Sequence, residues 1–137
     1  MAFVHEVQLR WADLDPLAHV NNVRLMEYFQ EARVALLMQM GAIAGEGARD
    51  FGQVVARHEV DYLHPLHLTG DPVTVTTEVE RIGRASYTLR HEIIDQHGSP
   101  AARALTVMVV IDVAGGTSAP IPDAFREALT ALMGTPA

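Results

Sequence analysis

The chain has 137 residues, is 49% hydrophobic and carries a formal charge of −7. That is the length of one domain, 1–137, with enough apolar matter for a core, and its acidic balance offers nucleic acid no basic field. It contains no cysteine, which excludes disulfides, thiolate metal sites and a cysteine nucleophile. No basic stretch followed by an apolar run opens the chain and no run of about 18 apolar residues occurs, so neither a signal peptide nor a membrane span is expected. The expected setting is cytoplasmic.

Phe3 to Leu9 alternates apolar and polar side chains and predicts a short strand. Trp11 to Asn22 follows, polar, acidic and turn-rich, with Asp13, Asp15, His19, Asn21 and Asn22. Asp and Asn ahead of a helical pattern read as a loop ending in an N-cap. The helix itself is predicted from about Asn22 to Met40, with Leu25, Phe29, Ala32, Leu36 and Met40 at helical spacing and Tyr28, Ala35 and Met38 broadening the stripe. Gly41 is its natural stop, and Gly41 to Gly52, with four glycines, is predicted as a loop.

Four strands are predicted next: Gln53 to Leu63, Val73 to Ile82, Arg84 to Asp95 and Ala101 to Val113. Pro65 and Gly70-Asp71-Pro72, then Gly83, then Gln96 to Pro100, supply the turns. The last strand carries Leu105, Val107, Val109 and Ile111 on one face, with Met108 and Val110 on the other, read here as an outer face. Asp123 to Met133 predicts a short amphipathic helix using Phe125, Leu129 and Leu132. An antiparallel sheet with one apolar face needs a cover, and the long helix is the element of sufficient size. The expected fold is α+β, a five-stranded antiparallel sheet wrapped around a central helix.

The acidic loop has two readings. It caps its helix, or it is an acyl-transfer site, because carboxylates there lie beside the free N–H groups and positive partial charge of a helix N-terminus. A carboxylate attacks or activates water while N–H donors hold an oxyanion.

The pattern resembles the hotdog fold and, more narrowly, the 4-hydroxybenzoyl-CoA thioesterase family of acyl-CoA thioesterases. The residues that carry the likeness are Arg10-Trp11-Ala-Asp13-Leu-Asp15, His19-Val20-Asn21-Asn22 and Tyr28-Phe29-Gln-Glu31-Ala32-Arg33. Downstream they are Val54 to Arg57, Asp61 to Leu66, Gly70-Asp71 and Ile82 to Tyr87. The resemblance implies hydrolysis of an acyl-CoA, or of an acyl carrier protein thioester, without metal or cofactor beyond the coenzyme A of the substrate. It puts the catalytic carboxylate on Asp15, as nucleophile or general base, and the oxyanion donors at about Asn21 to Val23. Asp13 is expected to hold the loop. The chain departs from the family pattern at Leu25, commonly tyrosine, at Ala18, commonly glycine, and at Asn22, in some members histidine.

The remaining assignments follow the same comparison. His19 would orient Asp15 or bind substrate, and Asn22 would cap or touch substrate. Ser86 would touch substrate or support the site. Arg57, Arg84 and His64 are candidate contacts for coenzyme A phosphates, with Arg81 and His67 beside them. His64 and His67 form an H-x-x-H pair that would need further ligands to hold a metal. Glu31 is expected in a buried ion pair, and His58 and His91 as core histidines. The loop also approaches the D-x-N-P-L-H pattern of hotdog enoyl-CoA hydratases and dehydratases, with Asp for Asn and one extra residue before His19. A non-enzymatic acyl-CoA-binding module is the third reading. The open edges of such a sheet predict a homodimer with a continuous sheet, and Met108 and Val110 would suit a homotetramer.

Overall fold

The computed structural model describes residues 2–41 and 52–134; most of the predicted Gly41–Gly52 loop lies outside the described residues. The elements are β1 (Phe3–Val7), a 3-10 turn (Trp11–Asp13), α1 (Asn22–Gln39), β2 (Gly52–Tyr62), β3 (Val73–Ile82), β4 (Ser86–Ile94), β5 (Pro100–Ile111) and α2 (Asp123–Thr130). The strands form one sheet in the order β1-β3-β4-β5-β2, and every neighbouring pair is antiparallel. β3, β4 and β5 are consecutive and joined by short turns. In the first, the Gly83 N–H donates to the Ser86 carbonyl at 2.7 Å. In the second, Gly98 takes a left-handed conformation, φ 87°, where a side chain would clash with the backbone.

α1 lies on the inner face of the sheet. Phe29 and Ala32 are fully buried at its centre, and the small Ala32 side chain allows the helix close to the strands. Its N-terminal half packs with Leu9, Leu66, Val75 and Ile93, whereas Leu37 joins a second cluster with Val79, Tyr87 and Leu89. α2 closes that second cluster with Phe125 and Leu129. The cover of the sheet is therefore shared between two helices, since α1 reaches only part of the inner face. This is the sheet-wrapped helix of the hotdog fold.

Two expectations are corrected. Met108 and Val110 are 4% and 0% exposed and belong to the core; the outer face of β5 is Leu105, Val107, Val109 and Ile111. Both faces of this strand are apolar, so alternation alone does not orient it. Pairing with β4 does: Tyr87 lies opposite Met108 and His91 opposite Ala104, and cross-strand partners share a face. Glu31 is exposed rather than ion-paired in the core. The buried charge on that turn of α1 is Arg33.

Candidate active site

The loop between β1 and α1 is a small closed structure. Leu14 and Val20 pair as an isolated antiparallel bridge. Inside it, the Asp15 N–H donates to the His19 carbonyl at 2.8 Å and the Ala18 N–H to the Asp15 carbonyl at 2.9 Å. Closing so short a loop puts Ala18 at φ 62°, the conformation that suits the glycine of the family pattern. The loop is tied to the rest of the fold by the Val20 N–H on the Leu66 carbonyl at 3.0 Å.

The two aspartates have opposite environments. Asp13 is fully buried and accepts from Tyr28 Oη at 2.7 Å, Arg10 Nη2 at 2.9 Å and the Arg10 N–H at 3.2 Å. Burial pushes its pKa up, but the hydrogen bonds from Tyr28 and Arg10 outweigh it and hold the carboxyl below its ordinary value. Its backbone carbonyl takes the Asn21 N–H at 2.8 Å. Asp13 thus fastens the loop to the helix start, as its sequence context implied.

Asp15 is half-buried beside an open cavity of about 280 Å³ lined by Trp11, Leu14, Pro16 and Ala18. Its Oδ1 accepts the Leu17 N–H at 2.9 Å and the His19 N–H at 3.3 Å. Its Oδ2 accepts no hydrogen bond among the described residues. One oxygen is thus fixed by the turn and the other is left unengaged.

The helix start differs in detail from the expectation. Asn21 is the N-cap, its Oδ1 taking the Val23 N–H at 2.8 Å. With the Asn21 N–H on Asp13, two of the three expected oxyanion donors are committed. The Asn22 N–H has no acceptor among the described residues, and the Asn22 side chain is exposed.

His19 reaches Asp15 through its backbone; its ring stands edge-on to His67, centroids 5.0 Å apart. His64 Nε2 lies 2.7 Å from Asp95 Oδ2. The Ser99 N–H, then His64 and the His97 N–H, hold the Asp95 carboxyl down at about 2. Arg57 pairs with Glu59 on exposed β2. Ser86 and the exposed Arg84 sit at the other end of the sheet from the acidic loop. The eight-residue step along β4 from Ser86 to Ile94 covers about 26 Å, so within one chain neither meets Asp15. Among the described residues no three His, Asp or Glu side chains converge as metal ligands.

The Tyr28 contact was missed because Tyr28 reads as part of the apolar stripe. Its signal is positional: it lies about two helical turns beyond the N-cap Asn21, and helix side chains lean towards the N-terminus, which aims its hydroxyl at the loop.

The sequence profile of the thioesterase-like superfamily matches residues 9–129. The chain belongs to the thioesterase-like superfamily. It is a thioester hydrolase. The long-chain acyl-CoA thioesterase FadM of Escherichia coli is 28% identical over 125 residues, covering 90% of this chain and 94% of FadM. A Thermus thermophilus thioesterase crystallised with coenzyme A and Zn is 39% identical, with TM-score 0.81 over 97% of this chain and 95% of that one. A predicted thioesterase from Bacillus stearothermophilus superposes over the whole of both chains with TM-score 0.88 at 29% identity. No helix among the described residues is long and apolar enough to cross a membrane.

Proposed function

We propose that this thioesterase hydrolyses an acyl-CoA to the free acid and coenzyme A, with Asp15 as the reacting carboxylate. The observation that carries the reading is the asymmetry of Asp15, which lines the cavity: Oδ1 is pinned by two backbone N–H groups and Oδ2 accepts no hydrogen bond from a described residue. As nucleophile, Oδ2 adds to the thioester carbonyl and expels the thiolate, leaving an anhydride that water opens; as base, it takes a proton from the attacking water. The Asn22 N–H, at the positive end of α1, polarises the carbonyl in either case. The names of FadM and of the coenzyme A-bound Thermus protein support coenzyme A as the carrier. No cofactor takes part, and the setting is cytoplasmic.

The working unit is a homodimer, or a homotetramer built from it. β2 is an edge strand with Val54 and Val55 45% and 46% exposed, a surface suited to pairing with a second copy. Antiparallel pairing of two β2 strands would set the Ser86 and Arg84 end of one copy beside the Asp15 end of the other. That would complete the substrate site from two chains, with His64 and Arg57 near the same seam.

Thiol release from short, long and aromatic acyl-CoAs, by wild type and Asp15→Asn in parallel, tests the reading. Turnover that falls by about 10²- to 10⁴-fold in the variant is expected. Turnover that survives the substitution would sink Asp15. Hydration of crotonyl-CoA without thiol release would turn the reading to the hydratase, and tight binding without either reaction to a binding module.

A further inference from the structure

α1 and β2 enclose a second open cavity of about 280 Å³, lined by Val23, Met26, Glu27, Arg33, Val55 and His58 among others. Most of its wall is apolar, yet Arg33, only 9% exposed, lines it. The Arg33 guanidinium makes no hydrogen bond or ion pair with any described residue. A buried cation without a counterion costs several kcal/mol, so its surroundings are informative.

None of the described ones supplies it with negative charge. His58 is held to Thr106 through Nδ1 at 2.8 Å, and burial, with Arg33, lowers its pKa. His91 is fully buried on Thr77, and burial depresses it to about 3. Burial raises the Tyr87 hydroxyl, which donates to Gln53 Oε1. All three are neutral near pH 7. Glu27, the carboxylate on the cavity wall, is engaged by Arg24 at 2.9 Å and Arg10 at 3.8 Å. Gln53 Nε2, buried next to Tyr87, also lacks an acceptor among the described residues. Among the described residues the region holds donors in excess and no anion to receive them.

We propose that Arg33 receives a carboxylate at the far end of the acyl group, so that the preferred substrates are CoA thioesters of dicarboxylic acids. The inference rests on the acyl-CoA reading above. Val23, next to the open Asn22 N–H, lines the same cavity, and the ten residues from Val23 to Arg33 rise about 15 Å along α1. An acyl chain with its thioester at the helix start therefore runs along the Val23, Met26 and Val55 wall towards Arg33. The guanidinium fork matches a carboxylate through two parallel hydrogen bonds. A neutral hydroxyl would leave the buried charge uncompensated.

Calorimetric binding of non-hydrolysable thioether analogues of adipoyl-CoA, hexanoyl-CoA and 4-hydroxybenzoyl-CoA tests this directly. Wild type is expected to bind the adipoyl analogue at least tenfold more tightly than the other two. Arg33→Met should bring adipoyl and hexanoyl analogues within about twofold, and Arg33→Lys should restore part of the preference. Equal binding of all three analogues by wild type, as when a second copy fills the cavity, overturns the proposal, and so does preference for the hydroxyaryl analogue. Should Arg33→Met fail to fold, the wild-type comparison and the Lys variant still decide. Because binding needs no hydrolysis, discrimination without thiol release would sink the thioesterase reading alone. Thiol release without discrimination would sink the present one alone.

Discussion

Tyr28 Oη donates a 2.7 Å hydrogen bond to Asp13 Oδ2, and both residues are buried. This bond joins the first turns of α1 to the loop that carries Asp15, two residues along the chain. The carboxylate proposed to react is thus positioned by a second, buried carboxylate.

Tyr28→Phe removes the donor and leaves a buried carboxylate under-satisfied. A loss of about 1–3 kcal/mol of stability is expected, with a fall in kcat/KM because the loop is less firmly held. Urea denaturation and thiol release measured on the same preparation check both. Unchanged stability would mean that Arg10 alone satisfies Asp13.

Asp15 separates turn from chemistry through a pair of substitutions. Asp15→Asn keeps an oxygen for the Leu17 and His19 N–H groups and should lose turnover with little change in melting temperature. Asp15→Ala loses the turn bonds as well, and should lower stability by about 1 kcal/mol besides. Equal activity of wild type and the Asn variant would leave Asp15 a turn residue only.

Ala18, at φ 62°, is the strained position of the loop. Left-handed backbone costs a non-glycine residue about 1–2 kcal/mol, partly offset by the greater chain entropy of glycine. Ala18→Gly should therefore stabilise the protein by about 0.5–1 kcal/mol in denaturant unfolding. A loss of stability would show that the Ala18 methyl group makes contacts worth more than the strain.

His91 predicts a pH dependence. Burial lowers its folded pKa to about 3 from the ordinary value near 6.5. Between these values the unfolded chain binds a proton that the folded chain refuses, so stability is full above about pH 6.5 and declines as pH falls towards 3. The limiting slope for one such group is about 1.4 kcal/mol per pH unit. His91→Asn cannot titrate, and its stability should change less between about pH 7 and pH 5 than that of wild type. Parallel slopes for the two proteins would mean that His91 protonates in the folded state.

The exposed edge of β2 predicts the assembly. Light scattering at micromolar concentration should give a dimer or a larger even-numbered assembly. Val55→Arg should shift it to monomer and abolish turnover while retaining the circular dichroism of the fold. A fully active monomer would count against a site shared between chains.

Much of the architecture was legible because its determinants are local. Alternation in β3 and β4, the Gly83 and Gly98 turns and the helical spacing of Leu25, Phe29, Ala32 and Leu36 each act over a few residues. The acidic loop was legible for the same reason: Asp15, Asn21 and the helix start are neighbours in the chain. The orientation of β5 was not, since both of its faces are apolar and the choice between them follows from the register with Tyr87 and His91.

By itself the sequence determined the order of elements, the place of the acidic loop and the family likeness, all set by short-range propensity and motif spacing. Only the tertiary structure decided which residues face one another across that order. It separated Asp13 from Asp15 by burying one and leaving the other an open oxygen. It withdrew the Asn21 and Val23 N–H groups from the helix start by giving them acceptors, moved Ser86 and Arg84 to the far end of the sheet, and set Arg33 beneath β2 without a counterion among the described residues. Burial and partner geometry arise from long-range packing, and the chemistry of a carboxylate or a guanidinium depends on them more than on its position in the chain.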